Sequence, residues 1–300
     1  MKRISILLLL YSILLVLLCG CTPSAPPARI AATTLPVYEF TSRLCENTPI
    51  TVTRLVTEQV SCLHDYSLNV RQVKAAEAAE LIVISGAGLE EFMEDILHDT
   101  QIIDASHGLS LICPEDTNHG HGEVEVEHGH EGHHHDEDPH IWLSPVNAMV
   151  MAENICNELE QQYPEYADQF SSNLQTLLTD LETLHTYGKQ QLETLSCREL
   201  ITFHDGFAYF ADAYDLTILE AMEEESGSEA SAKELIHLIE EVEHHDLPAI
   251  FTEASGSVSA AGIISRETGA SSHALDMAMA GNSYFDAMYH NIDTIKEALQ

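Results

Sequence analysis

The stretch YADQFSSNLQTLLTDLETLHTYGKQQLETL, Tyr166 to Leu195, decides the architecture. Its apolar residues fall at Tyr166, Phe170, Leu174, Leu177, Leu181, Leu184, Leu192 and Leu195, the three-and-four spacing of one amphipathic helix. Gly188 is the weak position, and two helices broken there are the alternative. Unbroken, a helix of about 30 residues would run about 45 Å, more than one α/β lobe needs. Before it, β-branched runs at Arg29–Leu35, Ile50–Val56, Leu81–Ser85 and Gln101–Ala105 predict buried strands, separated by helical patterns at Val37–Leu44, Leu68–Ala79 and Glu90–His98. After it the rhythm returns. Strands are expected at Glu199–Phe203, Thr217–Leu219, Ala249–Thr252 and Ser272–Leu275, and helices at Phe207–Ala213, Ser231–Glu243, Val258–Thr268 and Tyr284–Leu299. The expectation is an α/β protein of two lobes, each a mostly parallel sheet with flanking helices, joined by one long rigid helix.

The amino terminus is a separate object. Lys2 and Arg3 precede an apolar run from Ile4 to Leu18, too short to span a membrane as a flanked helix, so it reads as a secretory signal. Leu18-Cys19-Gly20-Cys21 resembles the lipobox of bacterial lipoproteins, which implies lipidation at Cys21 and a polar tether. The expected plan is therefore a signal peptide at 1–20, a tether at 21–28 and an N-terminal lobe at 29–165 carrying a His-rich loop at 115–138. A linking helix at 166–195 and a C-terminal lobe at 196–300 complete it. The expected location is outside the cytoplasm, anchored to the cell membrane by an N-terminal lipid. Five further cysteines, Cys45, Cys62, Cys113, Cys156 and Cys197, allow at most two disulfides in any of several pairings.

The 300 residues carry 12 basic and 49 acidic side chains, a formal charge of −37. Without the signal, ten basic residues stand against the same 49, a formal −39. Such a field repels nucleic acid and attracts metal cations. Histidine numbers 18. Seven lie in one run without an apolar face, His119, His121, His128, His130, His133, His134 and His135, interleaved with Glu123, Glu125, Glu127 and Glu131. Imidazoles at that density bind Zn²⁺, Ni²⁺ or Cu²⁺ loosely, so this loop is read as an accessory metal segment.

Other histidines sit where α/β folds place ligands, beyond the carboxyl ends of strands. His64 follows the strand at Ile50–Val56, His140 stands in Asp138-Pro139-His140-Ile141-Trp142-Leu143-Ser144-Pro145, and His204 follows Leu200–Phe203. Asp276 closes the last strand, and Glu253, ending Ala249–Thr252, is the rival carboxylate. Three imidazoles and one carboxylate form an N₃O set suited to Zn²⁺, with Mn²⁺ as the alternative. His237, His244 and His245 read as a solvated helical face, His185 as a packing or surface residue, and Glu223-Glu224-Glu225 as a solvated loop.

These residues resemble the metal-receptor family of bacterial ABC importers, lipoproteins of the solute-binding class (cluster A-I, also cluster 9). The likeness covers roughly Ile30 to Gln300. It is carried by His64-Asp65-Tyr66, by Leu81–Glu90, above all by Asp138–Pro145, by His204-Asp205 with Tyr209-Phe210, and by Asp276 with Gly281-Asn282-Ser283-Tyr284. The acidic His-rich insert ahead of His140 resembles the zinc branch. One departure is Ser61-Cys62-Leu63, where the family commonly has a Gly-x-Asp-Pro-like approach. The resemblance implies a monomeric receptor that holds metal between its lobes and delivers it to an importer permease with its ATPase. A zinc-dependent extracellular hydrolase is the competing class; a catalytic zinc needs an open position that a fourth protein ligand would fill, and no GxSxG is present.

Overall fold

The computed structural model describes residues 29–58, 63, 66–98, 100–113, 137–222, 230–253 and 258–300. The signal, Cys21, His64, the whole histidine run and Glu223–Glu225 lie outside them. Among the described residues no helix is long and apolar enough to cross a membrane.

In the N-terminal lobe β1 (Arg29–Ala32), β2 (Thr51–Arg54), β3 (Leu81–Ile84) and β4 (Ile102–Asp104) form a parallel sheet in the order β2-β1-β3-β4. Helices α1 (Leu35–Leu44), α2 (Val70–Glu77) and α3 (Glu94–Leu97) connect them. The C-terminal lobe repeats the plan: β5 (Glu199–Thr202), β6 (Thr217–Ala221), β7 (Ala249–Glu253) and β8 (Ser271–Leu275) run parallel in the order β6-β5-β7-β8. Between the lobes come α4 (Pro145–Gln162) and α5 (Ala167–Leu192), and α6 (Ala208–Ala213), α7 (Ala232–His244), α8 (Val258–Thr268) and α9 (Tyr284–Leu299) follow. Each sheet thus reverses strand order once, between β1 and β3 and between β5 and β7, and ligands of open α/β sheets bind outside such reversals.

The linking helix is continuous for 26 residues, shorter at each end than the expected span. It does not break at Gly188, because that position lies against the Tyr214 ring, where any side chain would collide. Phe170, Leu177, Leu181, Leu184 and Leu192 of α5 are buried, each worth about 1.5–3 kcal/mol. They join a single core that runs from Ile30 and Phe40 through Trp142 and Ile155 to Phe210 and Ile292, so the lobes share one apolar interior. Smaller cores cover the outer faces of both sheets.

Helix α4 is absent from the sequence expectation, although Ala148, Met151, Ala152, Ile155, Cys156 and Leu159 mark its buried face. Ser144 caps it and Pro145 starts it, so the Asp138–Pro145 motif is also a helix entry. The Glu90–His98 segment is a short 3₁₀ turn followed by one α-turn rather than a single helix.

At the first reversal Glu90 is fully enclosed. Its Oε1 accepts from the Thr33 hydroxyl (2.6 Å) and the Ser85 N–H (2.8 Å), and its Oε2 from the Gly86 N–H (3.0 Å). Gly86, at φ +86°, has no room for a side chain against Asp104 and Ser106. Burial outweighs the three donors and pushes the Glu90 carboxyl up to about 7. The folded chain then holds a proton that the unfolded chain releases near pH 4.5, so Glu90's contribution is complete below that pH and is lost as pH rises towards 7. Unfolding free energies from denaturant titration at pH 5 and 8 should differ by less in Glu90→Gln than in the parent, by on the order of 3 kcal/mol. An unchanged difference would show that Glu90 does not titrate in this way.

Candidate metal centre

Two of the four expected ligands meet. His204 stands two residues beyond β5, and β5 neighbours β7, whose last residue is Glu253. His140 is delivered by the turn entering α4, its ring edge-on to Trp142. The Trp142 indole N–H donates to the Met277 carbonyl (2.7 Å), and its own carbonyl accepts from the Tyr284 hydroxyl (2.8 Å). The Leu35 N–H donates to the Met279 carbonyl and Glu39 accepts from the Tyr284 N–H, so the segment after β8 is stitched to both α1 and the His140 turn.

The rings of His140 and His204 are nearly perpendicular, with Nε2 facing Nε2 at 3.2 Å. On the far side of each ring lies a carboxylate. Asp138 Oδ1 is 2.8 Å from His140 Nδ1, and Glu253 Oε1 is 3.1 Å from His204 Nδ1. A carboxylate only accepts, so His140 Nδ1 carries the hydrogen towards Asp138 and its Nε2 presents a lone pair to the His204 ring. The two Nε2 atoms stand close enough to share one proton or one cation between them. Zinc–nitrogen bonds of about 2.0–2.1 Å at the tetrahedral angle set two ligand nitrogens about 3.3 Å apart, which matches the observed spacing. Carboxylates on the outer nitrogens are the usual means of fixing metal-binding imidazoles.

Both carboxylates are buried, at 8% and 6% exposure, as is His140 at 2%. Glu253 therefore meets His204 on the ring nitrogen turned away from His140. Asp138, which sequence reasoning did not single out, holds His140 through a hydrogen bond to Nδ1; the signal was its position two residues ahead of the histidine. Gly206 closes the pair: a Cβ there would stand 2.7 Å from His204 Cδ2, 3.1 Å from His140 Cε1 and 2.6 Å from Met277 Cε.

Asp276 is not gathered with the two rings. Asp276 Oδ1 accepts from the Ala278 N–H (2.7 Å), and its backbone is held by Asn291. Among the described residues no group of three or more His, Cys, Asp or Glu side chains is arranged to hold a metal. His64, the histidine run and Cys21 lie outside those residues. His237 pairs with Glu220, and His245 with Glu199 and Glu241, as a surface face. His185 stacks on Tyr214. One HExxH spacing, His130-Glu131-Gly132-His133-His134, occurs in the histidine run; the metalloprotease motif needs a helix, and no apolar periodicity supports one there.

Comparison with known proteins shows the family and the fold. The family described as ZnuA, zinc-uptake complex component A periplasmic, matches residues 30–298. The zinc-binding lipoprotein AdcA of Streptococcus pneumoniae is 28% identical over 316 residues, covering 99% of this chain and 61% of AdcA, so the chain spans about three fifths of that relative. A crystal structure of ZnuA superposes with a TM-score of 0.76 at 27% identity, covering 91% of this chain and all of that one. A manganese-bound mutant of a periplasmic metal-binding protein from Candidatus Liberibacter asiaticus shares the fold, with a TM-score of 0.76 at 23% identity over 91% of this chain and all of that one. The family comprises metal-binding components of uptake systems rather than enzymes. With residues 30–298 matched by its model and the fold shared with ZnuA, this chain belongs to the ZnuA family of metal-binding proteins.

Proposed function

We propose that this chain is an extracytoplasmic receptor that captures Zn²⁺ between its lobes and delivers it to an ABC-type import permease and its ATPase. The observation that carries the reading is the pair of Nε2 atoms facing each other at 3.2 Å, each ring with a buried carboxylate behind it. His140 and His204 supply two nitrogens, and His64 and Asp276 complete the N₃O set. Asp276 adjoins Met277, whose methyl lies beside Gly206 and the two rings. Zinc is favoured over manganese because nitrogen donors suit zinc and manganese stands at the weak end of the affinity order. Lipidation at Cys21 would hold the domain at the membrane, and the lipoprotein designation of AdcA supports that anchor. The lobes correspond to residues 29–165 and 196–300 around the linking helix, and the histidine run is an accessory store that raises local zinc.

The test is a zinc titration against a chelator, with manganese in competition, on the chain from residue 22 with and without residues 116–134. Deletion should lower the number of weakly bound ions and leave one tight site, its affinity changed by less than about threefold. Loss of tight binding on deletion would place the cargo site in the histidine run. Retention of manganese in preference to zinc would keep the receptor and change its cargo.

A further inference from the structure

The chain on either side of the histidine-rich insert is drawn together by a backbone hydrogen bond and by one hydroxyl that bridges it. The Asp138 N–H donates to the Ile112 carbonyl (2.8 Å), so residues 112 and 138 lie side by side although about 25 residues separate them. Tyr209, on α6 of the other lobe, reaches both. Its hydroxyl accepts from the Ile112 N–H (3.0 Å) and donates to the Asp138 carbonyl (2.9 Å). The ring is 3% exposed, and burial pushes the phenol up to about 12, which keeps the hydroxyl a donor near neutrality. Asp138 then turns its Oδ1 to His140, accepting from the backbone N–H (2.9 Å) and the ring Nδ1–H (2.8 Å).

We propose that Tyr209 is a positioning residue for the metal centre: by fastening Ile112 to Asp138 it fixes the carboxylate that aims the His140 ring. It also ties the Asp138 backbone to α6, which begins four residues after His204. Without the hydroxyl, the Ile112–Asp138 hydrogen bond alone would hold the two ends together against the closure entropy of the long segment between them. The inference rests on the reading of His140 as a zinc ligand.

The experiment compares zinc affinity, by chelator competition, in four proteins: the parent and Tyr209→Phe, each with the natural insert and with residues 116–134 replaced by four Gly/Ser residues. Phenylalanine keeps the ring packing and removes only the hydroxyl. With the natural insert, Tyr209→Phe should bind zinc about tenfold more weakly, in line with outer-sphere losses at metal sites. With the short link most of that loss should be recovered, because covalent shortening does what the hydroxyl did. A loss of the same size at both lengths would assign Tyr209 to packing, and no loss at either length would remove it from the site; either overturns the proposal. His140→Ala run in parallel separates the two readings: if it retains tight zinc, the ligand assignment has failed, whereas if it loses zinc while Tyr209→Phe does not, only the positioning role has.

Discussion

Replacing His140 by alanine is expected to weaken zinc binding by about a hundredfold or more. Zinc sites release about 10–16 kcal/mol on binding, so one ligand in four accounts for about 3 kcal/mol. The loss should exceed that of His237→Ala or His245→Ala, whose imidazoles face Glu220, Glu199 and Glu241 on the surface. Asp138→Asn should fall between the two, about 10- to 100-fold, because the ring keeps a partner while losing the charge behind Nδ1. Chelator competition reads all three, with circular dichroism as the check on folding. An affinity for His140→Ala within about threefold of the parent would remove this histidine from the coordination sphere.

The second large effect comes from a residue without a side chain. Gly206 leaves the space in which the two rings and the Met277 methyl converge, and a single methyl group there would press on all three. Met277 can move its flexible end, but each imidazole has a buried carboxylate behind it that limits its retreat. Overpacking of this kind costs about 1–3 kcal/mol. Here it falls on the separation of the two nitrogens, so Gly206→Ala should bind zinc roughly 10- to 100-fold more weakly. Gly262, which has open space around it, is the control: Gly262→Ala should leave affinity unchanged. Equal effects of the two substitutions would mean that Gly206 acts through general stability rather than through the ring pair.

Much of this molecule can be read from its sequence because its elements are locally marked. The expected bounds of α8 and α9 coincide with the observed ones, and β7 and β8 differ from expectation by one residue. Period and β-branching decide such segments without help from tertiary contacts. His140 and His204 are legible for a similar reason: each is a histidine at a place where α/β chains present ligands. The partners behind them are less so. Glu253 can be placed at the end of a strand from the sequence, but which ring nitrogen it meets depends on the rotation of His204 about its own bonds. Asp138 is close in sequence to His140, yet its role depends on the backbone turn that brings Oδ1 to Nδ1, and that turn is held by Tyr209, 71 residues away. The order of the strands also depends on pairings between distant segments. Gly188, read as a weak point in the linking helix, proves to be a contact, because Tyr214 arrives from another element to fill the notch it leaves.

The most direct test of the account is the position of the ion. Crystals of the chain lacking residues 116–134, grown with one equivalent of Zn²⁺, can be measured on both sides of the zinc absorption edge. One anomalous peak is expected between the facing nitrogens, about 2.0–2.1 Å from Nε2 of His140 and of His204. A peak on the His237–His245 face of α7, or none near the two rings, would contradict it.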